Sequence, residues 1–222
     1  MKVPILYEDN HLLFVEKPVN VPVQGDRTND HDLLSYLKKD LKIRYQKPGN
    51  VYLALVHRLD RPVGGVMVFA KTSKAASRLS DIIRRNAIEK RYLAVVRGQP
   101  PKNSGKLEDY LVKNHRKNIV HTAKPNHKDA KRAVMEYEVI GTKKGLSLLS
   151  IRLHTGRPHQ IRVQLSSRGC PLYGDQKYGS TVNKPGQQIA LWSNTLAFEH
   201  PTKKEKIEIQ SKPPREYPWN LW

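Results

Sequence analysis

Cysteine is almost missing from this chain. Cys170 stands alone, which excludes an intramolecular disulfide and suits a reducing compartment. Set between Gly169 and Pro171, it reads as a small buried hydrophobe rather than a catalytic thiol. Long apolar runs are missing too. None approaches the length of a membrane span. Pro4, Glu8 and Asp9 interrupt the N-terminus before a signal-like core can develop. The expectation is a soluble cytoplasmic protein with no membrane partner. His57, His154 and His159 match no familiar zinc spacing, so no metal is expected. No internal repeat or low-complexity linker divides the chain.

Acidic residues are outnumbered. Twenty Asp and Glu face forty Lys and Arg, a formal net charge of +20. Acids are still frequent enough for this to be a folded protein rather than a basic tail. Its field favours a polyanion, and nucleic acid is the natural one. An anionic membrane surface fits less well, because no long amphipathic basic helix is present. A length of 222 residues is ample for a sizeable core, even at 38 % hydrophobic residues.

The rest of the chain is arranged around the stretch from Val56 to Lys71. One carboxylate, Asp60, stands between Arg58 and Arg61. Apolar runs at Tyr52 to Val56 and Val66 to Ala70 read as short buried strands. Pro62, Gly64 and Gly65 read as a tight turn between them. A carboxylate on a loop between core strands is the layout of an active-site acid held by a rigid scaffold. Neighbouring cations favour its ionised form. The same residues also fit a structural ion pair pinning a turn.

Val3 to Tyr7 and His11 to Glu16 read as paired strands, followed by an extended Lys17 to Val23 and a polar loop from Gln24 to Asp30. Asp30 or Asp32 can cap a helix reaching about Arg44, with Leu33, Leu34, Leu37 and Leu41 on one face. Thr72 or Ser73 can cap a second, with Ala76, Leu79, Ile82 and Ile83 inward. Ile88 to Arg97 reads as a strand containing Tyr92. Taken alone, such a tyrosine is ordinary core. Residues 99–130 are crowded with Lys113, His115, Arg116, Lys117, His121, Lys124, His127 and Lys128. They read either as a basic insertion that orders on an RNA backbone or as a solvated polar hairpin. Strands follow at Arg132 to Ile140, Leu146 to Leu153, Gln188 to Ala197 and Lys206 to Gln210, then a proline-broken tail.

A second segment, Leu153 to Leu165, passes from strand through Gly156 into a helix, with Pro158 suited to its first position and Gly169 to its end. His159 and Arg162, three apart, can face the same way. A strand-to-helix turn carrying Arg and His is a ready anion site.

Four motifs then fall in order: His57-Arg58-Leu59-Asp60 with Gly64-Gly65 and Ala70-Lys71; Lys90-Arg91-Tyr92-Leu93-Ala94; Gly156-Arg157-Pro158-His159-Gln160-Ile161-Arg162; and Pro171-Leu172-Tyr173-Gly174-Asp175. Together with Ile5 to Asp9 and Val15-Glu16-Lys17-Pro18, they resemble the RluA-like family of RNA pseudouridine synthases. The resemblance implies an α+β fold, with a long mixed, mostly antiparallel sheet and helices flanking a central catalytic cleft. It implies one catalytic domain over residues 1–222, lacking the extra N-terminal RNA-binding domain of some relatives and holding the basic 99–130 stretch. The implied reaction is isomerisation of uridine to pseudouridine in ribosomal or transfer RNA, with no cofactor. Separately, a monomer is expected.

Asp60 corresponds to the family's essential aspartate, Tyr92 to the tyrosine packing on the target base, and Arg162 to the arginine that pairs with the aspartate. Arg58 corresponds to a residue near the flipped nucleotide. With Arg58, the cations Arg61, Lys90, Lys117, Arg157 and His159 form the expected RNA-binding set. Asp175 is expected to stabilise a turn. Two positions depart from the pattern: Val63-Gly64 where the family usually has Thr-Ser, and Gln164 where it usually has His. The rival reading is an RNA-binding protein that keeps the fold with weak or no catalysis; a ribosomal structural protein is a third.

Overall fold

The structure is a computed structural model describing residues 1–25 and 30–222. Most of the expected Gln24 to Asp30 loop lies outside the described residues. The chain has the α+β class expected of it, with eleven strands and three α-helices among the described residues. It divides into two compact units. The first holds Met1–Ile88 and Ser193–Lys212, the second Glu89–Trp192 and Pro213–Trp222.

In the first unit, β1 (Ile5–Glu8) pairs antiparallel with β2 (Leu12–Lys17). β2 in turn pairs antiparallel with β4 (Gly64–Ala70), in a register that sets Lys17 opposite Gly65. The two-residue β3 (Ala54–Leu55) also pairs with β4. β10 (Leu191–Glu199), part of this unit from Ser193, lies beside β4 and carries β11 (Lys206–Gln210). β4 is buried at every position. That fits a continuous apolar run rather than an alternating one.

Helix α1 (Leu33–Arg44) starts at Asp32, whose carboxylate accepts from the Ser35 N–H at 2.9 Å. Leu33, Leu37 and Leu41 are its buried residues. Each is worth about 1.5–3 kcal/mol by burial. Helix α2 (Ser73–Arg84) starts at Thr72 and buries Ala75, Leu79 and Ile82. The inward face therefore passes through Ala75, while Ala76 and Ile83 are only partly covered. Leu79 and Ile82 join Leu12, Phe14, Val66, Val68 and Phe198 in one core.

The second unit is an antiparallel sheet in the order β5-β9-β8-β6-β7, in which β5 neighbours β9 and β8 neighbours β6 across longer connections. Its strands are β5 (Glu89–Arg97), β6 (Ser104–Asn114), β7 (Ile119–Ala123), β8 (Lys131–Lys143) and β9 (Leu146–Leu153). In the basic stretch β6 and β7 pair as a hairpin, from Tyr110–Ala123 to Asn114–Ile119. β8 runs three residues past Ile140, and the reversal to β9 is confined to Lys144 and Gly145, both at positive φ. Helix α3 (Gln160–Ser166) places Val163 against Leu111, Val120 and Ala133.

Two local expectations need correcting. Gly64 and Gly65 lie inside β4 rather than in the turn, which falls at Arg61–Pro62. At Gly65, φ is +114°, and a Cβ would lie 2.2 Å from the Ser193 carbonyl oxygen. Glycine is there to admit a neighbouring backbone. Pro158 does not open α3. The helix begins at Gln160, after His159 in the left-handed region at φ 52°. The Gln160 side chain forms that turn by accepting from the Arg157 N–H at 3.0 Å and the Thr155 hydroxyl at 2.7 Å. The turn's backbone donor is thereby used internally.

Candidate active site

In the first unit, Asp60 sits half-buried on the short turn before β4. Its own carbonyl accepts from the Val63 N–H at 2.9 Å. A residue with no role assigned from its motif fixes this turn. Lys17, at the end of β2, is completely buried. Its Nζ donates to the carbonyls of Val63 at 2.7 Å, Pro18 at 2.9 Å and Arg61 at 3.0 Å. Three acceptors match the three N–H donors of an ammonium. Burial lowers its pKa to about 7, against the pull of the Asp60 negative charge. Main-chain oxygens on both sides of Pro62 are thus tied to one rigid strand. Sequence inspection had a single hint, a lysine between a strand and a proline.

The cations flanking Asp60 differ from one another. Arg58 is exposed. The Arg61 guanidinium is paired with Asp30, and its Nε donates to the Asn20 carbonyl at 3.2 Å. His57 Nε2 accepts from the Val68 N–H at 3.1 Å, joining the turn's approach to β4. Val63, one of the two departures from the family pattern, is itself buried.

In the second unit, Tyr92 and Lys90 are both buried and share one face of β5, two residues apart. Burial lowers the Lys90 pKa. Its Nζ lies beside Gly156, 3.3 Å from where a Cβ there would be. Arg162 is buried in α3 and makes a two-pronged pair with Asp175, Nε to Oδ2 at 2.8 Å and Nη2 to Oδ1 at 2.9 Å. Asp175 also accepts from the N–H groups of Lys177 at 2.9 Å and Tyr178 at 3.2 Å. It therefore stabilises a turn, and beyond that it anchors Arg162. Burial alone would raise the Asp175 pKa, but Arg162 and these N–H groups bring it below the ordinary value.

Tyr178 was not legible as a site residue. Its hydroxyl lies 2.6 Å from His159 Nδ1 and accepts from the Val120 N–H at 2.8 Å. The Arg162 guanidinium carbon lies 5.2 Å from its ring centre. Arg157 is half-buried, with Nε donating to the Arg132 carbonyl at 2.9 Å. Lys117 is exposed at the β6–β7 turn. Gln164, the second departure, is fully buried and donates to Asp109 at 2.7 Å. Among the described residues no group of His, Cys, Asp and Glu has the arrangement of a metal site, and no helix is long and apolar enough to cross a membrane.

A carboxylate on a main-chain-pinned turn and a buried, carboxylate-anchored arginine stand in an α+β chain whose +20 charge favours a polyanionic partner. The sequence profile described as RNA pseudouridylate synthase matches residues 11–167. The chain belongs to that family. It is 32 % identical over 214 residues to the ribosomal large subunit pseudouridine synthase C of Buchnera aphidicola subsp. Acyrthosiphon pisum, covering 93 % of this chain and 66 % of that protein. It is 33 % identical over 213 residues to the Uncharacterized RNA pseudouridine synthase YjbO of Bacillus subtilis, covering 96 % and 73 %. The chain thus spans just under two thirds of the length of the first of these relatives. The fold is that of the human RNA Pseudouridylate Synthase Domain Containing 4, with a TM-score of 0.83 at 23 % identity over 98 % of this chain and 91 % of that one.

Proposed function

We propose that this chain isomerises uridine to pseudouridine within RNA, with Asp60 as its essential carboxylate. The observation that carries the reading is the Asp60 turn itself: in a chain of this family, a half-exposed carboxylate stands on a loop whose carbonyls are gripped by a buried lysine.

The reaction breaks the N1–C1′ bond, turns the uracil and rejoins it through C5. The C5 proton leaves and N1 gains one, so no oxidant, reductant or co-reactant is consumed. An ionised carboxylate at the sugar can stabilise an oxocarbenium, attack C1′, or remove a sugar proton. Tyr92 is assigned the flat surface that holds the base while it is detached. Such stacking is worth about 1–3 kcal/mol per base. Arg162 is assigned as the guanidinium that favours ionised Asp60, with Asp175 holding it in place. Arg58, Arg61, Lys90, Lys117, Arg157 and His159 are assigned to RNA contact, with Lys90 buried and His159 half-buried. A uridine in a helix must be extruded to react, and backbone contacts supported by the +20 charge offset that cost. The names of the curated relatives favour ribosomal RNA as substrate, which would place the work in the cytoplasm.

The test is tritium release from RNA carrying 5-tritiated uridine. Release by the native chain that is abolished in Asp60→Ala, with RNA affinity retained, is the expected result. Binding without release from any cellular RNA would leave the non-catalytic reading, for which Val63-Gly64 is the observation.

A further inference from the structure

The second unit contains a cavity of about 370 Å³ that none of the roles above uses. Its floor is Leu107, Leu165, Cys170 and the ring of Tyr137, all buried. Pro101, Lys102, Lys106 and Arg168 stand exposed at its rim. The Tyr137 hydroxyl donates to the Lys102 carbonyl at 3.2 Å, which fixes the ring. A Cβ at Gly105 would come within 3.1 Å of that ring, so glycine lets the strand lie close against it. Arg168 is paired with Asp109 at 2.9 Å. Among the described residues no carboxylate lines the cavity.

An apolar slot with one aromatic wall and a cationic rim suits a flat apolar body carried on an anionic chain. Its volume is at the small end of ligand pockets, enough for one nucleoside and too little for a helix. We infer that this cavity seats one unstacked base of the bound RNA, with Lys102 and Lys106 meeting the flanking phosphates. The inference rests on the reading of RNA as substrate. Leu165 lies in the last turn of α3 and Arg168 just beyond its end, while its first turn follows Arg157 and His159. Seven residues of helix span about 10 Å. The cavity therefore lies about one length of α3 from that turn.

The test is photo-crosslinking of the full chain to a single-stranded oligouridylate containing 4-thiouridine, with adducts mapped by mass spectrometry. Adducts within residues 100–107, or on Tyr137 or Cys170, are expected. Ser104→Trp, which fills the mouth from an exposed position, should weaken oligouridylate binding about tenfold, the scale of one lost stacking contact, and remove the adducts. An abasic ribose-phosphate chain should bind the native protein more weakly than oligouridylate. Lys102→Ser with Lys106→Ser should flatten the salt dependence by about two phosphate contacts. Melting curves check that each variant is folded. Adducts confined to other stretches, equal binding of the abasic chain, or an unchanged affinity in folded Ser104→Trp would overturn the inference and leave the cavity to a protein segment. Adducts at the cavity without tritium release would sink the isomerase reading alone; release without these adducts would sink the cavity alone.

Discussion

The Lys17 ammonium lies 2.7 Å from the carbonyl oxygen of Val63, in a position closed to water. The contact joins the end of one strand to the start of another and holds the Asp60 turn from beneath. Lys17→Met should remove three charge-assisted hydrogen bonds and leave buried carbonyls unmet. A loss of about 2–4 kcal/mol in urea unfolding is expected, at a cost of 1–3 kcal/mol per orphaned group less the relief of desolvation. A variant as stable as the native chain would show that the grip contributes nothing.

The same lysine gives a pH signature. Its folded pKa is about 7, against 10.5 for an ordinary lysine. Between those values the unfolded chain binds more protons than the folded one. This group's contribution to stability therefore rises with pH across the window, and is at its lowest below pH 7. The stability difference between the native chain and Lys17→Met should shift toward the native chain from pH 7 to pH 10, by as much as about 4 kcal/mol. A flat difference across that range would refute it.

Asp175 gives both carboxylate oxygens to a buried guanidinium. Asp175→Ala should cost about 3–5 kcal/mol, the range for breaking a buried pair from one side. Activity should fall further than the folded fraction does, because Arg162 loses its anchor. The check is thermal unfolding alongside tritium release at a temperature where the variant is fully folded. Activity tracking the folded fraction alone would reduce Asp175 to a stability role.

Gly65 meets the Ser193 backbone so closely that Gly65→Ala needs the strands to part. A loss of about 2–4 kcal/mol is expected from overpacking plus strain at positive φ. Gly49, where a Cβ would meet nothing within 4 Å, serves as the control, and Gly49→Ala should change stability by less than about 1 kcal/mol. Equal melting temperatures for the two variants would contradict the packing argument.

What could be read in advance follows from the range of each determinant. The α1 cap and its buried leucines repeat at helical spacing within twelve residues, so Asp32, Leu33, Leu37 and Leu41 were visible. Gly64 and Gly65 looked like breakers, because the Ser193 backbone that makes glycine necessary arrives from far along the chain. The start of α3 depends on the Gln160 side chain closing the turn, a contact that helical spacing does not reveal. Asp60 and Arg162 are singled out by motif order. Lys17 and Tyr178 are not, since their importance lies in carbonyls and ring atoms that converge only on folding. The Arg162–Asp175 pairing, across a loop, leaves no spacing pattern to detect.

Lys17 recognises main-chain oxygens and ignores what the loop displays outward. The shape of the Asp60 turn is thus stored outside the turn, in a strand with its own reasons to stay fixed. Side chains that the loop turns to solvent can be exchanged without redrawing the path that carries the carboxylate.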